Sequence, residues 1–166
     1  MMNPMFRTRF VAFAIVAALG CMPARAAAPL RAGTPAPAFR IMGVDGKAIS
    51  LRRFAGKPIY LNFFASWCAP CREESPGIVK LFKQYKKRGL EVIAVNFHED
   101  KDHATDWRDQ YKIPFPIGLG DPKMTDEYGV IALPVHVFID RQGIVRTYRL
   151  GEMSYAEIEA AIKGIL

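Results

Sequence analysis

Cysteine is scarce in this chain: only Cys21, Cys68 and Cys71. There is no second Cys-x-x-Cys and no His-x-x-x-His, so the pair at 68 and 71 lacks the further ligands that a zinc site needs. Arg72 stands where covalent haem attachment requires a histidine directly after the second cysteine. Long apolar runs are also missing. The uncharged segment Phe10–Gly20 is too short for an ordinary membrane span and has the length of a signal-peptide core. Acids are absent from the first 26 residues, which carry Arg7, Arg9 and Arg25. No repeat or low-complexity run occurs in residues 27–166.

The basic start, the apolar segment and the small-residue signal Ala24-Arg25-Ala26 predict export, with cleavage after Ala26. That division gives a signal peptide over 1–26 and a single domain over 27–166, a length that supports a real core. It also removes Cys21, the odd cysteine. The rival reading takes Leu19-Gly20-Cys21 as a lipobox that leaves Cys21 lipidated and the protein membrane-tethered. Ala18 fits that signal less well than leucine. Losing three arginines lowers the formal net charge from +7 to +4, so much of the basicity belongs to targeting. The one dense basic stretch, Lys83–Arg88, falls at the end of a predicted helix, where the dipole favours cations. No nucleic-acid partner is expected.

What remains centres on Tyr60–Pro76, YLNFFASWCAPCREESP. An apolar, aromatic-rich run over 60–65 reads as a buried strand, followed by a turn holding Cys68-Ala69-Pro70-Cys71 and a helix. This places Cys68 at a helix N-terminus, where free N–H groups and the macrodipole favour a thiolate. Cys71, one turn on, is within reach of a mixed disulfide on Cys68. A structural disulfide across so short a loop would add only about 2 kcal/mol in the loop-entropy model. A peroxidatic cysteine usually follows Thr or Ser by three residues, and Ala65 is there instead. The pair is read as redox-active.

Elsewhere, residues 39–44 and 47–50 flank Asp45-Gly46 as a hairpin, and Leu51–Gly56 forms one helical turn. A strand over 59–65, a helix over about 70–88 ended by Gly89, and a strand over 90–97 make a parallel crossover. A helix around 104–111, a loop with Gly118 and Gly120, and a short helix around 124–128 follow. Strands over 135–139 and 144–150 then form a second hairpin. Ser154 with Glu157 caps a last helix. His98 and His103 lie among acids, but an Asp-capped helix start explains them better than a metal. His136 is expected to be a hydrogen-bonded core histidine, the alternative being a residue that tunes the thiols by its charge.

The stretch NFFASWCAPC, Pro76, ALPVHVFID with Pro134, and the extra segment between Asp100 and Gly129 resemble the thioredoxin-like superfamily. Within it they resemble the exported branch typified by the TlpA and ResA proteins. The resemblance implies an α/β thioredoxin-like fold: a central mixed sheet with helices on both faces, an N-terminal hairpin and an extra strand–helix segment. It implies that Cys68 is the exposed attacking cysteine and Cys71 the resolving one. Pro134 would be a cis-proline beside the disulfide, and Leu133 would offer backbone bonds to the substrate chain. From its residues alone, Pro134 is equally a trans proline opening a strand. Trp67, Ala69 and Pro70 complete the implied substrate contact, although Trp67 reads equally as a structural aromatic.

Asn62 stands where cytosolic thioredoxins have a buried aspartate. The exported branch carries a glutamate three residues after the second cysteine, which is Glu74 here. On a helix Cys71 and Glu74 share a face, so Glu74 is assigned as proton acceptor in catalysis, while Glu73 reads as an ordinary first-turn acid. The expected function is thiol–disulfide exchange, in the reducing direction, on periplasmic protein substrates such as apocytochrome c or copper-site proteins. No cofactor or metal is expected, and a monomer is. A reductase in an oxidising compartment implies a membrane thiol reductase as electron donor. The alternatives are a disulfide-donating oxidase or isomerase, and a copper-handling or redox-sensing thiol module.

Overall fold

The computed structural model describes residues 30–166. The expected signal peptide and its cleavage or lipidation at Cys21 lie outside the described residues. Strand β1 (Arg40–Gly43) turns through Asp45-Gly46 into β2 (Ala48–Ser50), the hairpin expected there. A 3-10 turn over Leu51–Phe54 leads to β3 (Ile59–Phe64), which is buried throughout. Helix α1 (Ala69–Tyr85) follows and closes through a 3-10 turn on Gly89, whose φ of 96° is left-handed. Then come β4 (Glu91–Phe97), α2 (Lys101–Tyr111), β5 (Ile117–Gly120) and α3 (Pro122–Glu127). The chain ends with β6 (Val135–Ile139), β7 (Val145–Leu150) and α4 (Tyr155–Lys163).

Among the described residues these strands form a 7-stranded sheet in the order β2-β1-β5-β4-β3-β6-β7. The β3, β4 and β5 pairings are parallel; β1 with β5, β3 with β6, and both hairpins are antiparallel. The mixed sheet of the expected thioredoxin-like fold is therefore present. Side chains alternate across β3 as the pleat requires. Tyr60 and Phe64 join the core beneath α1, α2 and α4, while Ile59, Leu61 and Phe63 join the opposite core with Met124 of α3. Helices thus cover both faces, three on one and the short α3 on the other. Complete burial of a large apolar side chain is worth about 1.5–3 kcal/mol, so β3, packed on both faces, is the spine of the domain.

Two expectations need correction. The segment expected to be a loop with Gly118 and Gly120 is strand β5. A side chain at Gly118 would bring its Cβ to 2.3 Å from Ile41 Cδ1, so glycine here lets β1 lie against β5. Helix α2 starts at Lys101, earlier than the expected 104, because Asp100 caps it by accepting from the His103 N–H at 3.2 Å. The capping box of Ser154 and Glu157 on α4 is present as expected. Among the described residues no helix is long and apolar enough to cross a membrane.

Candidate active site

Cys68 is the N-cap of α1, and Pro70 lies in its first turn. It forms a disulfide with Cys71 across a Cα–Cα distance of 5.3 Å, and its Sγ also accepts from the Cys71 N–H at 3.3 Å. The sulfur of a reduced Cys68 thus already has a donor in place, at the positive end of a helix. The expected exposure of Cys68 is not seen in this disulfide form: Cys68 is 4% and Cys71 3% exposed. Both belong to the core cluster on the α1 face, against which Leu133 packs. Trp67 instead presents its side chain to solvent, at 63% exposure. Leu133–Pro134 is a cis peptide and leads directly into β6.

Glu74 lies one helical turn beyond Cys71, and its side chain is 7% exposed. Its Oε1 accepts from the backbone N–H of Met153 at 2.7 Å, so its carboxyl group bridges α1 to the segment before α4. Burial pushes its pKa up to about 7; the Met153 bond opposes this, and Glu152 and Glu73 add to it. A carboxyl with that pKa exchanges its proton near neutrality, as a proton acceptor or donor must. The flank of Glu74 opens on a cleft of about 490 Å³, also lined by Glu73, Arg149, Glu152, Met153 and Tyr155.

Beneath Glu74 lies a polar group whose arrangement is not visible from spacing. In the β3–β6 register Asn62 stands opposite His136 and Tyr60 opposite Phe138, so all four point to the α1 face. His136 Nδ1 lies 2.8 Å from Tyr60 Oη and 3.4 Å from Asn62 Nδ2. Its Nε2 lies 3.5 Å from Glu74 Oε2. His136 is the hydrogen-bonded core histidine expected, yet it also touches the site. Burial pushes its pKa down to about 4, and burial, with Glu74 nearby, holds the Tyr60 phenol well above its ordinary range.

Comparison with known proteins decides the family. Residues 32–148 match the AhpC/TSA family model. The chain belongs to the AhpC/TSA family. Among curated members, it is 35% identical over 134 residues to the thiol-disulfide oxidoreductase ResA of Bacillus thuringiensis subsp. konkukian, covering 80% of this chain and 78% of that protein. It is 33% identical over 133 residues to the thioredoxin-like protein YneN of Bacillus subtilis, covering 78% of each. Among solved structures, a putative thiol:disulfide interchange protein DsbE from Chlorobium tepidum superposes with a TM-score of 0.75 at 32% identity. That match covers 82% of this chain and 98% of the other. The thioredoxin-like fold and the resemblance to the ResA branch are borne out. This family member is a thiol-disulfide oxidoreductase, with Cys68 and Cys71 as its cysteine pair and proteins as its class of substrate.

Proposed function

We propose that the protein is an exported disulfide reductase acting on periplasmic targets, with apocytochrome c and copper-site proteins of respiratory oxidases as the target classes. The observation that carries this reading is the Cys68–Cys71 pair at the start of α1 with Glu74 buried one turn beyond it. In the reduced protein the Cys68 thiolate attacks a target disulfide. A Cys68–target bond forms and one target sulfur leaves as a thiolate. Glu74 then takes the proton of Cys71, and the Cys71 thiolate attacks Cys68 Sγ. The Cys68–Cys71 disulfide forms, and the second target sulfur leaves with the electron pair.

Trp67, Ala69 and Pro70, together with Leu133 and Pro134, form the substrate-contacting surface in this reading; the solvent exposure of Trp67 and the packing of Leu133 beside the cysteine cluster support it. Two electrons must be restored after each turnover, and a membrane thiol reductase is the proposed donor. Residues 1–26 are the proposed export signal. An N-terminus at Ala27 on the purified protein supports cleavage there, and an acylated Cys21 replaces it with a lipid anchor.

The deciding experiment is the reduction potential of the Cys68–Cys71 couple, equilibrated against dithiothreitol and glutathione. A reductase is expected below about −200 mV, where each 30 mV or so is a tenfold change in equilibrium. A value near about −120 mV, as in a strong disulfide donor, overturns the reducing direction.

A further inference from the structure

Two buried side-chain polar atoms among the described residues have no hydrogen-bond partner, Glu74 Oε2 and His136 Nε2. They face one another at 3.5 Å from side chains 7% and 0% exposed. Unpaired buried polar atoms are costly. Two of them aimed at each other make one contact, whose form depends on where a proton sits. The other ring nitrogen is already engaged, 2.8 Å from Tyr60 Oη and 3.4 Å from Asn62 Nδ2. An amide N–H only donates, so Asn62 favours a bare Nδ1 and a protonated Nε2. The Tyr60 hydroxyl serves either tautomer by rotating.

We propose that His136 is a positioning residue for Glu74: held by Tyr60 and Asn62, it donates from Nε2 to the ionised carboxylate and, in its other neutral tautomer, accepts from the protonated one. The proposal deepens the reading of Glu74 as proton acceptor for Cys71 and rests on it. The two end states differ by one proton. In the first, Glu74 is ionised and the imidazole proton is on Nε2. In the second, Glu74 carries the proton taken from Cys71, and the imidazole proton is on Nδ1, donated to Tyr60. The imidazole stays neutral in both.

The surrounding charges agree with that accounting. Burial pushes Glu74 up to about 7 and His136 down to about 4. The pair therefore holds a neutral acid and a neutral base between those values, and a carboxylate with a neutral base above them. Burial of both side chains opposes an ion pair despite the short separation. Glu152 after β7 and Glu73 on α1 raise Glu74 further; at His136 a bond to the Gly151 backbone favours the charged ring and opposes burial, while Arg149 at the end of β7 disfavours it. Glu157 and Tyr155 of α4 line the same cleft, and Tyr60 and Asn62 complete the surroundings from β3.

The test is NMR titration of the oxidised protein, with ¹³C-labelled glutamate carboxyls and ¹⁵N-labelled histidine; Glu74→Gln assigns the carboxyl signal. In the parent, His136 should exchange its Nε2–H tautomer for the Nδ1–H tautomer over the same pH range in which Glu74 takes up its proton. His136→Leu should raise the Glu74 midpoint by about one pH unit or more, a tenfold change in proton affinity. His136→Gln, whose amide can donate or accept, should bring it back towards the parent. An unmoved midpoint in His136→Leu overturns the proposal. So does a single His136 tautomer throughout the Glu74 titration, a measurement that needs no variant at His136 to fold. If the midpoint follows His136 while target release is the same in Glu74→Gln and parent, the pairing stands and the reading of Glu74 as acceptor falls.

Discussion

Ser66 gives Glu99 both its donors: the backbone N–H to Oε2 at 2.7 Å and the hydroxyl to Oε1. Asn96 donates to the same carboxylate at 2.7 Å, and Arg72 Nη1 donates to the Ser66 carbonyl at 3.3 Å. The turn that delivers Cys68 to the start of α1 is thereby tied to the end of β4. Partial burial pushes the Glu99 pKa up, but the bonds from Ser66 and Asn96 outweigh it and hold the carboxyl below its ordinary range.

Glu99→Ala is therefore expected to destabilise the fold by about 2–3 kcal/mol at pH 7, the range for losing hydrogen bonds to a charged group. A lowered carboxyl pKa stabilises the fold above the unfolded value and loses that effect as pH falls through the folded one. The gap between parent and variant in urea unfolding should consequently shrink towards pH 3. A gap that is constant with pH would mean that the carboxylate charge is irrelevant to this tie.

The two cysteines should differ in what they trap. Cys71→Ser leaves an attacking Cys68 that cannot be released, so mixed disulfides with target proteins should accumulate. Cys68→Ser should trap none. Mass spectrometry of non-reduced complexes from both variants measures this, and equal trapping removes the division of roles.

Glu74→Gln should act on the thiols in two opposed ways. An anion near a thiol disfavours the thiolate, so its removal should lower the thiol pKa values. The same substitution removes the proton acceptor, so release of target from the Cys68 mixed disulfide should slow by about tenfold or more, within the usual range for general-base loss. Thiolate absorbance and release time are measured separately, with Glu73→Gln as the control for a general first-turn effect. If all three proteins titrate and release alike, Glu74 is only a link to Met153.

The stability of the oxidised protein should also follow the buried pair. Glu74 has its pKa raised from 4.5 to about 7, so its contribution is full below 4.5 and is lost as pH rises through 7. His136 is lowered from 6.5 to about 4, so its contribution is full above 6.5 and is lost as pH falls towards 4. Glu74→Gln should then gain on the parent in urea unfolding between pH 5 and 8. His136→Gln should flatten the acid side between pH 6.5 and 4. Parallel curves for parent and variants across pH 4–8 would contradict both shifts.

Some of this protein is decided within a few residues and is readable from the chain. The Asp45-Gly46 hairpin, the Ser154–Glu157 capping box and the Cys68–Cys71 turn before α1 are all present where spacing places them. Each depends on a turn preference, a cap or a helical period that one short window contains. Strand β5 was not readable in this way. Gly118 and Gly120 look like loop residues until β1 is laid against them, with Ile41 occupying the space that a side chain would need.

The surroundings of Glu74 lie further still from any local rule. Its helical spacing from Cys71 is local, but the Met153 N–H that it accepts is 79 residues away in the chain. His136 reaches it because β6 pairs antiparallel with β3 in the register that sets His136 against Asn62, and a slip of one residue would turn the imidazole to the opposite core. The chain by itself determined which residues can carry the chemistry. Only the tertiary structure decided which of them share a buried proton, because strand register and burial are properties of the assembled sheet, and they set both the distance between Glu74 and His136 and their pKa values.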